Sequence, residues 1–302
     1  MVSLQTVDPS VVEKLEQALV QQSTPLSDKY RILFSLRNIS GHEAHKAMLK
    51  GLKDSSDLYR HEVAYCLGQR QDPAAIKALT EILYDQKEHP MVRHEAGEAL
   101  GAIGEEDCLR PLKDHQTDSC LEVAQTCQLA LQRIEFFESE EGQRLVDASP
   151  YRSVDPTPPA DQSISIERLR ECLLDENEKI FDRYRAMFAL RNRGGADAVA
   201  ALTESFETSS SALLKHEVAY VLGQMQDSHA TEKLKMVLEN KTENPMVRHE
   251  AAEALGSIAS PESLALLEQY SKDEDSIVAD SCIVALDMLK HEQSGEFEYC
   301  SK

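Results

Sequence analysis

Residues 90–104, PMVRHEAGEALGAIG, return at 245–259 as PMVRHEAAEALGSIA, 155 positions later. A second pair keeps the same offset: RHEVAYCLGQRQD at 60–72 and KHEVAYVLGQMQD at 215–227. The chain is a duplication, with His-Glu planted at four equivalent places: His61-Glu62, His94-Glu95, His216-Glu217 and His249-Glu250. Within each half the two dipeptides lie 33 residues apart.

That interval is part of a finer period. A small residue followed by leucine marks an apolar helix at Leu36, Leu67, Leu100 and Leu131, then at Leu190, Leu222, Leu255 and Leu286, at spacings of 31 to 33. Turn signals such as Gln71-Asp72-Pro73 and Ser260-Pro261 fall between the markers. A period of this length, in helix-favouring composition, predicts helical hairpins stacked side by side, because no single hairpin covers its own apolar stripe. The expected fold is an all-α, HEAT-like helical-hairpin solenoid of eight repeats in two pseudo-symmetric halves. Residues 136–166 lose the helical rhythm and hold four of the 11 prolines. They read as a Pro-rich linker between an N-terminal half at 1–135 and a C-terminal half at 167–302.

A turn of about 100° per residue places the histidines. Leu214, Val218, Val221 and Leu222 gather into one stripe, with His216 opposite it and Glu217 on the flank. Val247, Ala251, Ala254 and Leu255 do the same on the next marked helix, again with the histidine, His249, opposite. The histidines are therefore expected outside the core, on the face each inner helix turns away from its neighbours. Seven residues after each stands a glycine, at Gly68, Gly101, Gly223 and Gly256. It either clears space beside a ligand or serves close helix packing or a helix end.

Six of the ten histidines precede glutamate, but His42-Glu43 and His291-Glu292 have no counterpart at the 155-residue offset and read as solvated surface. His45, His89, His115 and His229 read as background. Lys+Arg of 32 against Asp+Glu of 53 leaves a net charge of −21, which argues against nucleic acid or an anionic membrane and favours cationic partners. Neither an apolar leader nor a long apolar run appears, so a cytoplasmic location is expected. Seven cysteines without a C-x-x-C pair fit reduced thiols. Cys66 aligns with Val221, Cys108 and Cys120 have no counterparts, and no cysteine is expected to follow the register of the His-Glu pairs, which argues against sulfur ligation. Imidazole with carboxylate and no thiolate suits iron, manganese or zinc. Two histidines and one carboxylate in each half match the ligand set of non-haem Fe(II) oxygenases.

The HE dipeptides within PMVRHEA-EALG and KHEVAY-LGQ, on repeats in two halves around a Pro-rich linker, strongly resemble the deoxyhypusine hydroxylase family along essentially the whole chain. The resemblance implies a di-iron monooxygenase that uses dioxygen to hydroxylate the deoxyhypusine side chain of eukaryotic translation initiation factor 5A. It implies His61, His94 and Glu95 as ligands of one Fe(II), His216, His249 and Glu250 as ligands of the other, and an external reductant. Glu62 and Glu217 are left for the substrate. Glu98 and Glu253, four residues beyond the second histidine of each half, either orient a metal-bound imidazole or are plain surface glutamates. The alternative from another class is a non-catalytic HEAT scaffold for a basic protein partner. The HEAT-like phycobilin lyases are a weaker third reading.

Overall fold

The computed structural model describes residues 4–145 and 149–294. Its first half runs α1 (Pro9–Val20), α2 (Leu26–Asn38), α3 (His42–Gly51), α4 (Asp57–Arg70), α5 (Ile76–Tyr84), α6 (Pro90–Ile103), α7 (Glu106–His115), α8 (Leu121–Glu138) and α9 (Glu140–Arg144). The second runs α10 (Ile166–Leu174), α11 (Ile180–Arg193), α12 (Ala196–Thr208), α13 (Ala212–Met225), α14 (Thr231–Glu239), α15 (Pro245–Ile258), α16 (Leu264–Tyr270) and α17 (Ser276–Ser294). Among the described residues the only β pairing is a single bridge between Gln5 and Ile39. The fold is an all-α solenoid, as the period requires.

The helices that carry the His-Glu pairs start and stop on matched signals. Ser56 and Ser211 cap α4 and α13 by accepting the amides of Tyr59 and Leu214. Pro90 and Pro245 open α6 and α15, where a missing N–H costs nothing, behind caps from His89 Nδ1 and Asn244. α4 and α13 end on Gln71 and Gln226, at φ +51° and +50°. Each amide side chain donates to a carbonyl at the end of the next inner helix, Gln71 to Ala102 and Gln226 to Ser257.

Neighbouring inner helices approach at the glycines. A methyl group on Gly68 would stand 2.8 Å from Ala99 Cα, and one on Gly101 only 2.5 Å from Ala130 Cβ. On Gly223 it would stand 3.1 Å from Ala254 Cα, and on Gly256 2.7 Å from Ala285 Cα. Close packing, rather than space for a ligand, accounts for all four.

A ladder of cations ties each hairpin to the next. Lys29 reaches Asp54 at 2.5 Å, Arg60 reaches Glu88 at 2.6 Å and Arg93 reaches Asp118 at 2.6 Å. In the second half Lys215 reaches Glu243 at 2.5 Å and Arg248 reaches Asp273 at 2.7 Å. Its first rung differs: Arg183, buried like Lys29, Arg93, Lys215 and Arg248, donates to the Ser209 hydroxyl at 3.1 Å.

The Pro-rich stretch starts later than expected, since α8 continues past 135 to Glu138, with Arg133 stacked on Phe137 at 4.8 Å. Residues 152–156 pack with the first half, and residues 149–151 and 157 onward with the second. Gln69 clasps Val154 through both backbone groups, at 2.7 and 3.1 Å. Its counterpart Gln224 instead holds the buried Arg191, whose guanidinium also bonds Ser149 and lies 4.5 Å from the Tyr151 ring. Among the described residues no helix is long and apolar enough to cross a membrane.

Candidate metal centres

Each half assembles a His/Glu cluster from two adjacent inner helices. In the first half α4 supplies His61 and α6 supplies His94 and Glu95. His61 Nε2 lies 3.3 Å from Glu95 Oε2, and the two imidazoles stand 5.5 Å apart at 41°. One ligand atom from each of the three residues falls within 4.8 Å of the others. In the second half α13 supplies His216 and α15 supplies His249 and Glu250. His216 Nε2 lies 3.4 Å from Glu250 Oε2, and the rings stand 5.2 Å apart at 39°.

The clusters are not on an open face. His61, His94, His216 and His249 are 5, 0, 5 and 1 % exposed, which corrects the expectation that they lie outside the core. A helical wheel describes one helix and the direction of its apolar stripe. Opposition to that stripe does not by itself mean exposure. Glu62 and Glu217 are buried as well, each one residue beyond its histidine.

The donor set is imidazole and carboxylate. The Cys66 thiol is not among the grouped donor atoms, and burial, reinforced by the Glu62 carboxylate, raises its pKa well above its ordinary value. Cys127 and Cys282 do stand at the 155-residue offset, which corrects the reading that no cysteine follows the register. Burial pushes both up to about 12, so they are packing groups. Buried imidazoles and carboxylates held this close, with no thiolate, fit a borderline or hard divalent cation.

The background histidines divide. His89 is the α6 cap, while His45 is buried with Nδ1 3.4 Å from Asp72 Oδ2, and burial lowers its pKa. His115 is buried with Nδ1 bonded to Pro111 O. Further residues support the clusters. Arg93 and Arg248, each just before a cluster histidine, donate to Leu83 and Leu238 carbonyls and to Asp118 and Asp273. Those aspartates, like Thr126 and Ser281, also keep the 155-residue offset, and that was the available signal.

The fold and clusters define the class: a HEAT-repeat protein with a duplicated His/Glu metal-type site. HEAT repeat models match residues 12–88, 45–132 and 211–287, and a PBS lyase HEAT-like repeat matches 182–208. Deoxyhypusine hydroxylase of Rattus norvegicus is 51% identical over 95% of this chain and 94% of its own length. Deoxyhypusine hydroxylase-B of Oryza sativa subsp. japonica is 50% identical over 93% of each chain. The solved structure of human deoxyhypusine hydroxylase in complex with glycerol superposes with a TM-score of 0.90 at 50% identity, covering 93% of this chain and 96% of that one. The chain belongs to the deoxyhypusine hydroxylase family. It is an enzyme of the oxidoreductase class, and the scaffold reading is not favoured.

Proposed function

We propose that this chain hydroxylates the deoxyhypusine side chain of eukaryotic translation initiation factor 5A in the cytoplasm, with two Fe(II) ions as cofactors. The observation that supports it most is the buried His61, His94 and Glu95 group, whose donor atoms lie within 4.8 Å of one another. These three hold one iron and His216, His249 and Glu250 the other. When bound, the ions supply the redox chemistry for dioxygen, and an external reductant restores them.

The chain's own residues place the substrate. Deoxyhypusine carries a secondary and a terminal amine, both protonated near neutral pH. Glu62 and Glu217 each offer such an ammonium a charge-assisted hydrogen bond beside the cluster. The net charge of −21 steers a basic substrate protein, so association weakens as salt rises.

Iron analysis with substrate binding tests the assignment. The purified chain is expected to hold about two irons, with His61→Ala, His94→Ala, His216→Ala and His249→Ala each below that complement. Full occupancy in any two of them overturns the ligand set. Glu95→Ala and Glu250→Ala are expected to lose iron, whereas Glu62→Ala and Glu217→Ala keep it and lose affinity for a deoxyhypusine-bearing partner. Equal iron loss in all four removes the division of roles.

A further inference from the structure

The halves differ behind the second cluster histidine. In the second half Ser281 of α17 is fully buried against α15. Its Oγ lies 3.0 Å from Glu253 Oε1 and 3.4 Å from His249 Nδ1, while Glu253 Oε1 is 3.7 Å from the same nitrogen. The hydroxyl has one proton to give, and an ionised carboxylate only accepts. Ser281 therefore donates to Glu253, and its lone pairs face the imidazole. Nδ1 must then carry the ring proton, which leaves the lone pair on Nε2, the nitrogen available to a metal.

The first half does not repeat this. Thr126 stands at the equivalent position on α8, buried, and its Oγ1 makes no hydrogen bond. Its methyl lies toward α6, where a Cβ on Gly97 would meet it at 3.5 Å. The second half carries alanine, Ala252, and the smaller serine at these two places.

We propose that Ser281, backed by Glu253, is a positioning residue that fixes His249 in the tautomer with its lone pair on Nε2. The role is particular to the second half, and it rests on the metal reading above only for its consequence, tighter metal binding at that cluster.

Two measurements on the full chain test it. Side-chain ¹⁵N NMR of the metal-free protein is expected to show His249 protonated at Nδ1. In Ser281→Ala that signal is expected to shift toward the Nε2-protonated form, while Thr126→Ala leaves every histidine signal in place. Anaerobic titration with Co(II), read by its visible absorption, is expected to show Ser281→Ala weakening one binding event by about 10- to 100-fold. Glu253→Gln, which keeps a polar group in place, is expected to act in the same direction and decides the matter if Ser281→Ala does not fold. An unchanged His249 tautomer and Co(II) affinity within about twofold of the parent in either variant overturn the proposal. A parent chain with the expected tautomer that takes up no Co(II) overturns the metal reading instead.

Discussion

The two halves carry the same cluster on the same pair of helices, yet they are braced differently. The first has a carboxylate at every described rung of its ladder and a hydroxyl at Thr126 that bonds nothing. The second has a serine in place of its first carboxylate and a bonded hydroxyl at Ser281. Duplication fixed the positions whose geometry the cluster needs. The residues that brace them met a looser condition, a hydrogen bond of some kind in the right place, and so diverged.

The largest effect expected on stability comes from the rung the halves share. Arg93–Asp118 and Arg248–Asp273 have side chains 4% exposed, so removing one partner strands a buried charge. Asp118→Asn and Asp273→Asn should each cost about 3–5 kcal/mol in denaturant unfolding, and about equally in the two halves. Burial alone would raise the Asp118 pKa, but hydrogen bonds from Arg93 and the Cys120 amide outweigh it. The bond from Arg248 is the main cause at Asp273, and both carboxyls sit below their ordinary value of 3.8. A depressed folded pKa means that the native state binds fewer protons. The contribution is then complete above about pH 3.8 and is lost as pH falls through the folded value. Acid unfolding near pH 3 should be blunted in Asp118→Asn, and an unchanged acid midpoint would contradict the pairing.

A smaller effect separates the halves at the glycine contacts. Alanine favours a helix over glycine by up to about 1 kcal/mol, but a methyl 2.8 Å from Ala99 Cα forces α4 and α6 apart. Overpacking of this kind costs about 1–3 kcal/mol. Gly68→Ala should therefore lower the thermal midpoint, and Gly223→Ala, with 3.1 Å to Ala254 Cα, should lower it less. Equal shifts would mean that the two contacts are equally tight.

The smallest expected effect repairs the odd rung. Asp54, Asp118 and Asp273 each accept a cation and also the amide two residues on, and Ser209 keeps the second role toward Ser211. Ser209→Asp fits that double role and gives buried Arg183 a carboxylate, so stability should rise on the order of 1 kcal/mol. Asp54→Ser, the reverse change in the first half, should lower it. Calorimetry on the pair measures whether the rung or its surroundings set the difference.

Much of this was legible without coordinates. The interval of 31 to 33 residues gave stacked hairpins, because only a neighbour can cover an amphipathic helix pair. The 155-residue offset singled out His61, His94, His216 and His249 with their glutamates, and each half brings its set together. The same offset held Asp118 with Asp273 and Cys127 with Cys282, which residue-by-residue reading passed over. Burial was not legible, because a helical wheel describes one helix and not what lies over each of its faces. The role of the glycines stayed open for a related reason: a missing side chain looks the same in sequence whether a ligand or Ala99 fills its place. Periodicity along the chain thus determined the fold and the cluster residues. Which atoms touch across helices, and hence that Ser281 rather than a neighbour stands behind His249, was decided only by tertiary packing, since that contact joins residues 32 apart whose side chains meet at a distance no repeat pattern encodes.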